Sequence, residues 1–426
     1  MLKSILIFSM SSLLAGASVL ADGPAYPLKV SANGRYLVDQ RGVPFLVQGD
    51  APWSLIVGLT REEATQYLEA RRAKGFNTLL VNLIEHKFKG PGNRYGEGPF
   101  TRPGDFLAPN EKYFAHADWV IRKAGEMGMQ ILLAPMYLGY KGSDEGWIEE
   151  ALANGPGRCR EYGRYLGRRY RDFPNILWVM GGDRDPEESR AEVEALAEGI
   201  REYDSQHLFT AHCAPEHSAV EEYPRESWLG LNTTYTYQLV HPKLLQDYNR
   251  KPVRPFILIE STYEGEHNST PLQVRRQACW TLLSGATGQV MGNRPIWLFD
   301  PGWQEALDSP ASVGMSSLGK LFNSRRWYEL VPDQDHKVVT GGLGEFFGLD
   351  YLAAARAADG STVIAYMPSR RTVTVDMTSI SGREAKATWF DPRTGQEHKA
   401  GEFSTAGSKE FTPPAEGDWV LVLDAM

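Results

Sequence analysis

The sequence predicts an α/β protein, a (β/α)8 barrel followed by a small all-β sandwich, and three observations carry that reading. Apolar runs of strand length recur without polar alternation, as parallel strands covered on both faces require. Helical segments with recognisable caps separate most of them. Beyond Asp333 the helical periodicity stops, and short strands separated by DG, SG and DPRTG turns take over.

Taken in order, NGRYLVDQRGVPFLVQGD reads as a hairpin turning at Gly42 and entering a buried strand from Pro44 to Gln48. Thr60 and Glu63 form a capping box for a helix running to Lys74 and stopped by Gly75. The strand Thr78–Ile84 follows, then a helix near Ala115–Met127 and the strand Gln130–Tyr137. A helix over Arg158–Asp172 precedes Asn175–Asp183, and a helix from Pro186, capped by Asp185, precedes His207–Cys213. Strands at Leu229–Tyr235 and Pro255–Ser261, a helix from Thr270 to Ser284, and a last strand over Gln289–Phe299 complete eight units. Eight such units argue for closure into a barrel, and the first βα turn lacks the GxGxxG of a dinucleotide-binding open sheet. A helix through Leu318–Leu330 connects to the sandwich strands STVIAYM, TVTVDM, EAKATWF and DWVLVL. The expected division is a signal over residues 1–21, a barrel over 22–330 and a β-domain over 331–426.

The chain has 426 residues, 42% hydrophobic and 23% charged, ample for buried cores and unlike a disordered chain. Its 45 basic and 53 acidic residues give a formal charge of −8 with no basic block long enough to track a phosphate backbone, so nucleic acid is excluded as an expected partner. At the N-terminus Lys3, the apolar stretch Ile5–Leu14 and small residues before Asp22 read as a cleavable secretory signal, placing the mature protein in the periplasm or outside the cell. No later run approaches the ~18 apolar residues of a membrane span, so no membrane insertion is expected after cleavage. Cys159, Cys213 and Cys279 sit in apolar contexts and read as buried structural residues, and without CxxC or HExxH there is no local case for zinc. Acid/base and covalent glycosyl chemistry need no cofactor, so none is expected.

In such a barrel the site lies where strands end, so polar residues that stop an apolar run are the candidates. Asp50 and Trp53 follow the first strand, Asn82 and His86 the second, and Tyr137 the third; His212 ends the fifth, Tyr235 the sixth, and Asn293 and Trp297 the eighth. Two carboxylates stand apart. Asp183 follows a glycine pair in WVMGGD at the fourth strand, and Glu260 ends FILIE at the seventh, where an acid facing only a core is strongly disfavoured. A pair of acids on opposite walls of a barrel mouth is what glycosidic cleavage needs, one protonated and one ionised, and the neighbouring aromatics suit sugar faces. The plainer alternatives are a helix cap for Asp183, an ion pair for Glu260, structural roles for the histidines, core packing for single aromatics and solvated loop charges for Glu264 and Glu266, with Glu264 also the alternate candidate acid. A polysaccharide or oligosaccharide is the expected partner. The competing readings are a non-catalytic polysaccharide-binding barrel and a serine hydrolase, the latter weak without GxSxG.

The segments NGRYLVDQRGVPFLVQGDAPW, GFNTLLVN, ILWVMGGDRDP, LIESTYEGEHN and SGATGQVMGNRPIW resemble the apiosidase-like glycoside hydrolases over roughly residues 25 to 325. The C-terminal part resembles the β-domain often attached to them and labelled collagen-binding by analogy, a label that is not evidence of collagen binding. The resemblance implies a barrel that hydrolyses glycosidic bonds with retention, Asp183 of GGDRDP as acid/base and Glu260 of LIESTYE as nucleophile. Gly182 stands where related barrels place Asn, so their helper contacts do not carry over, and sugar choice is expected from the loops Lys87–Asp105 and Gly139–Gly155.

Overall fold

Eight apolar runs form eight parallel strands because each is buried on both faces. A computed structural model describes residues 23–426, and the signal read over residues 1–21 lies outside them. The barrel strands are β1 (Val47–Asp50), β2 (Thr78–Asn82), β3 (Gln130–Ala134), β4 (Ile176–Gly181), β5 (Phe209–His212), β6 (Asn232–Tyr235), β7 (Phe256–Glu260) and β8 (Gly288–Met291). Their order is β5-β4-β3-β2-β1-β8-β7-β6, all parallel. Between β5 and β6 no continuous ladder forms. The gap is closed by Leu231 N donating to Phe209 O, by Thr210 Oγ1 donating to Leu231 O at 2.8 Å, and by Thr233 Oγ1 donating to Ala211 O.

Alternation within the strands splits the core in two. Val47, Leu80, Leu132, Leu177, Ile257 and Val290 pack inside the cylinder, whereas Leu79, Val81, Ile131, Leu133, Trp178 and Leu258 pack outward against helices. The short hairpin strands Lys29–Val30, Leu37–Val38 and Pro44–Phe45 form a small antiparallel sheet, and Leu28, Leu37 and Phe45 share the inner cluster. The expected capping box is present, with Thr60 Oγ1 accepting from Glu63 N and Glu63 accepting from Thr60 N, and Gly75 takes φ 81° where the helix Arg61–Ala73 stops.

Four expected elements differ. The last barrel strand ends at Met291, and Arg294–Leu298 is a short helix whose first turn holds Pro295, a residue with fixed φ and no N–H to give a ladder. The helix expected through Leu318–Leu330 runs over Pro310–Asn323, capped by Ser309, before a single 3-10 turn at Trp327–Glu329. The helix read from Arg158 begins at Ile148 and kinks where Gly155, at φ 70°, precedes Pro156. Asp185 caps nothing: its Oδ1 accepts from Ala214 N, its Oδ2 meets His217 Nδ1 at 2.8 Å, and the following helix is Arg190–Arg201 after one 3-10 turn.

After Glu329 the chain builds two antiparallel sheets. The larger runs in the order Leu330–Pro332, Ala353–Ala357, Thr362–Met367, Trp419–Ala425, Glu384–Phe390, Glu397–Ser404, and the smaller comprises Val339–Gly341, Val373–Asp376 and Ser408–Phe411. Val363, Ala365 and Met367 face the smaller sheet, while Ile364 and Tyr366 join the core that contains the barrel helices. Both faces of this sheet are therefore covered, which is why STVIAYM reads without alternation. Across that junction Arg275 grips Asp418 with two hydrogen bonds of 2.9 Å, both side chains nearly inaccessible. The three cysteines are buried and unpaired. Among the described residues no helix is long and apolar enough to cross a membrane.

Removing one partner of a buried bidentate pair strands the other charge. Arg275→Ala is expected to cost about 3–5 kcal/mol, read by urea denaturation, and to separate barrel and β-domain melting in calorimetry.

Candidate active site

Three consecutive residues with positive φ turn the chain at the end of β4: Gly181 at 79°, Gly182 at 135° and Asp183 at 45°. Such a run is accessible because two of the three have no Cβ. Side-chain space demands glycine as well, since a Cβ at Gly182 would lie 2.3 Å from Tyr137 Cδ2 and one at Gly181 would lie 2.6 Å from His212 O. The turn sends the Asp183 carboxylate back over the barrel mouth, where Tyr137 OH donates to Oδ2 at 2.8 Å. Glu260 reaches the same place by another device. Ile257 and Ile259 face inward, so simple alternation would point Glu260 outward, but the β6–β7 register shifts between Leu258 and Glu260 and re-aims the acid.

His212, at the inward-facing end of β5, stands between the two acids. Its Nε2 lies 2.7 Å from Glu260 Oε2, and its Nδ1 lies 3.2 Å from the Asp183 amide and 3.3 Å from Asp183 Oδ1. With the amide N–H on Nδ1, the neutral ring carries its proton on Nε2 and donates it to Glu260. One oxygen of each acid and a nitrogen of His212 all fall within 4.8 Å of one another. Burial, and after it the Glu260 charge, raises the Asp183 carboxyl to about 7, against the opposing effects of His212 and the Tyr137 hydrogen bond. Burial resists the imidazolium of His212, but the Glu260 hydrogen bond and both carboxylate charges outweigh it and raise the ring above its ordinary value. Burial, then the charge of Asp183, holds the Tyr137 phenol far above its usual range, so it remains a donor.

The acids open into a cavity of about 430 Å³. Trp53, Tyr137, Tyr235 and Tyr263 wall it near the pair, with Trp53 Nε1 donating to Tyr263 OH at 2.9 Å. Gly292 allows this packing, because a Cβ there would fall 2.1 Å from the Tyr263 ring. Phe88, Tyr140, Tyr237 and Trp297 line its outer part, along with Glu145, Glu266 and His267. Trp297 Nε1 donates to Glu266 Oε1 at 2.8 Å.

Of the residues expected at the site, Asp183, Glu260, Trp53, Tyr137, Tyr235 and Trp297 line this cavity, and His212 lies beneath it. Four do not. Asp50 is wholly buried behind the wall, where Arg71 Nε donates to it at 2.6 Å and Tyr67 OH donates as well, because its place in β1 faces the helix Arg61–Ala73. Asn82 is buried, its backbone N–H donating to Trp53 O and its side-chain amide without a hydrogen-bond partner among the described residues. His86 stacks on Trp147 with centroids 3.6 Å apart and meets Glu150 at 2.8 Å. Asn293 holds Glu264, which also accepts from Ala311 N; Glu264 is thus a buried structural acid and not a solvated loop charge. Glu266, also read as a loop charge, belongs to the cavity. Tyr263, Glu266 and His267 were within reach of the sequence, since all three lie in the LIESTYEGEHN segment. Phe88, Tyr140 and Glu145 come from the two long loops expected to govern sugar choice.

Among the described residues two groups offer three ligand atoms close enough to share a cation: the Asp183–His212–Glu260 group, whose atoms are already hydrogen-bonded or paired with one another, and Asp185, His217 and Glu222.

A parallel eight-stranded barrel with a pair of buried acids at its mouth and an aromatic-walled cavity above them is the construction of a glycoside hydrolase. Residues 31–329 match the family model described as "Apiosidase-like, catalytic domain", and the chain belongs to that family. Residues 331–424 match "Putative collagen-binding domain of a collagenase". A solved structure titled a glycoside hydrolase is similar at 28% identity and TM-score 0.84, over 94% of this chain and 97% of that one. A glycoside hydrolase family 5 structure from Bacteroides vulgatus ATCC 8482 is similar at 26% identity and TM-score 0.83, over 93% of each chain. No curated protein matches. The protein is therefore a glycoside hydrolase in fold and family.

Two outcomes follow from the geometry. Gly182→Ala should push Tyr137 from Asp183 and lower kcat about a hundredfold, the cost of an ångström-scale misplacement, with an unchanged circular dichroism spectrum. Because the folded Asp183 holds a proton that the unfolded chain has lost above its ordinary pKa, it costs stability as pH rises toward 7. Asp183→Asn should accordingly raise Tm, by a margin that widens from acid pH and levels off above neutrality.

Proposed function

We propose that this chain is a secreted, retaining glycoside hydrolase acting on a plant or microbial polysaccharide or oligosaccharide, with Asp183 as acid/base and Glu260 as nucleophile. The single observation that carries the mechanism is the spacing of the pair, whose nearest ligand oxygens lie within 4.8 Å. Retaining enzymes hold their carboxyl groups about 5–5.5 Å apart, whereas inverting enzymes leave about 6.5–9.5 Å for a water. The short spacing favours direct attack.

Protonated Asp183 donates to the glycosidic oxygen as the bond to the anomeric carbon breaks, and the Glu260 carboxylate attacks that carbon to give a covalent glycosyl ester. Asp183, now ionised, takes a proton from a water that attacks the same carbon and releases Glu260. His212 is a positioning residue: it occupies Oε2 and leaves Oε1 with no hydrogen-bond partner among the described residues, facing the cavity. Tyr137 fixes the rotamer of Asp183 from the other side. The aromatic walls supply flat apolar faces to the sugar. The signal sequence supports secretion, and the intact acid pair argues against a purely binding role.

Asp183→Ala should slow natural substrates about 10²–10⁴-fold yet still form the glycosyl-enzyme from 4-nitrophenyl glycosides, visible by intact mass. Glu260→Ala should reduce hydrolysis to background, with azide restoring turnover to a glycosyl azide of inverted configuration. Reducing-sugar release at the normal rate by either variant over a glycan panel would reject the assignment. The profile of kcat/KM against pH should fall on its alkaline side from about 7, where Asp183 gives up its proton, and that limb should vanish in Asp183→Ala assayed with an activated leaving group.

A further inference from the structure

The cavity is unusual in its charge. Its lining carries four carboxylates, from Glu145, Asp183, Glu260 and Glu266, and neither lysine nor arginine. Basic residues next in sequence to lining residues are engaged elsewhere, Lys87 facing Glu149 at 3.8 Å. Lys89 pairs with Asp300 at 2.8 Å and Lys141 with Glu187 at 2.7 Å, while Arg184 donates to the carbonyls of Gly139 and Tyr140. Arg294 lies over the Trp297 ring at 5.4 Å and reaches Glu266 at 3.7 Å, so it offsets that acid without itself lining the cavity. His212 is committed to the acid pair, and His267 stands edge-on to Tyr237 at the mouth.

Glu145 and Glu266 have no part in the bond-breaking steps. Glu266 accepts from Trp297 Nε1 and keeps its other oxygen for the cavity. Glu145 makes no side-chain ion pair among the described residues, and burial followed by the charge of Asp183 raises its carboxyl above the ordinary value, a sign that its surroundings resist added negative charge. A sugar carboxylate brought into this space would lose water, meet no guanidinium or ammonium to take its place, and sit beside like charges in a poorly screened site. Hydroxyl groups face the opposite situation. Ionised acid oxygens accept hydrogen bonds, and a neutral sugar presents several O–H donors to them while its C–H faces meet the tryptophan and tyrosine rings.

We infer that Glu145 and Glu266 make the cavity selective for an uncharged sugar unit and exclude uronic acids from it. This inference rests on the glycosidase reading above and specifies its substrate class. It is tested on the purified chain with matched 4-nitrophenyl glycosides that differ only in a CH₂OH or a COO⁻ at the terminal carbon of the sugar ring. The neutral member of the preferred pair should be hydrolysed with a kcat/KM at least about a hundredfold higher than its uronide. Glu145→Gln and Glu266→Gln should each narrow that ratio several-fold, chiefly through KM of the uronide, and 0.5 M NaCl should narrow it in the wild type. A uronide cleaved within tenfold of its neutral partner, or a ratio indifferent to both Gln variants, overturns the inference while leaving the glycosidase reading standing. Failure to hydrolyse any glycoside would count against that reading, and ligand-observed NMR with free neutral and uronic monosaccharides then decides selectivity separately. Saturation transfer to the neutral sugars alone is the supporting result, and transfer to the uronates, or to neither class, rejects it.

Discussion

The hydrogen-bonded bridge from Asp183 through His212 to Glu260 is the interaction on which the rest of the site depends. Two acids brought within a few ångströms in a buried mouth cannot both carry full charge cheaply. His212 resolves this by placing one N–H on Glu260 and accepting the amide of Asp183, so that the acids are distinguished by their surroundings alone. Burial and the charge of Glu260 raise the Asp183 carboxyl to about 7. Two side chains of the same chemistry are thus set apart by their environment.

That bridge needs a scaffold with three special backbone features. The Gly181–Gly182 turn lets Asp183 adopt positive φ and lets Tyr137 lie against bare backbone. The register shift in β7 turns Glu260 inward from a position that alternation assigns to the outside. Gly292 gives the Tyr263 ring its place against the β8 loop. Strain and irregularity collect at the mouth, while the lower barrel and its surrounding helices keep regular packing. The β-domain packs from the side, its larger sheet sharing one face with the barrel helices and tied to them through Arg275 and Asp418.

Much of this was legible in the residues, and what was missed has a common cause. The eight strands could be found because a parallel strand covered on both faces must be apolar throughout, and a capped helix announces its start at Thr60 and Thr270. Asp50 illustrates the limit. A polar residue at a strand end marks the height of the mouth but not the side of the wall, and one residue decides between facing the cavity and facing a helix. Asp50 falls on the helix side and pairs with Arg71, whereas His212 falls inside. Asn293 went astray for a related reason, since Pro295 ends the strand pattern and converts that segment to a helical turn.

The barrel, the attached β-domain and the two acids closing apolar runs can be read from the chain alone, because burial pattern, caps and a charged residue ending a strand are local properties written in neighbouring residues. Which candidates meet, that His212 joins the acids, and that Glu145 and Glu266 share their cavity emerge with the folded chain. Those facts depend on the closure of strands remote in the chain and on the loops over them, and the distances that set charge and proton affinity exist only once the cylinder has closed.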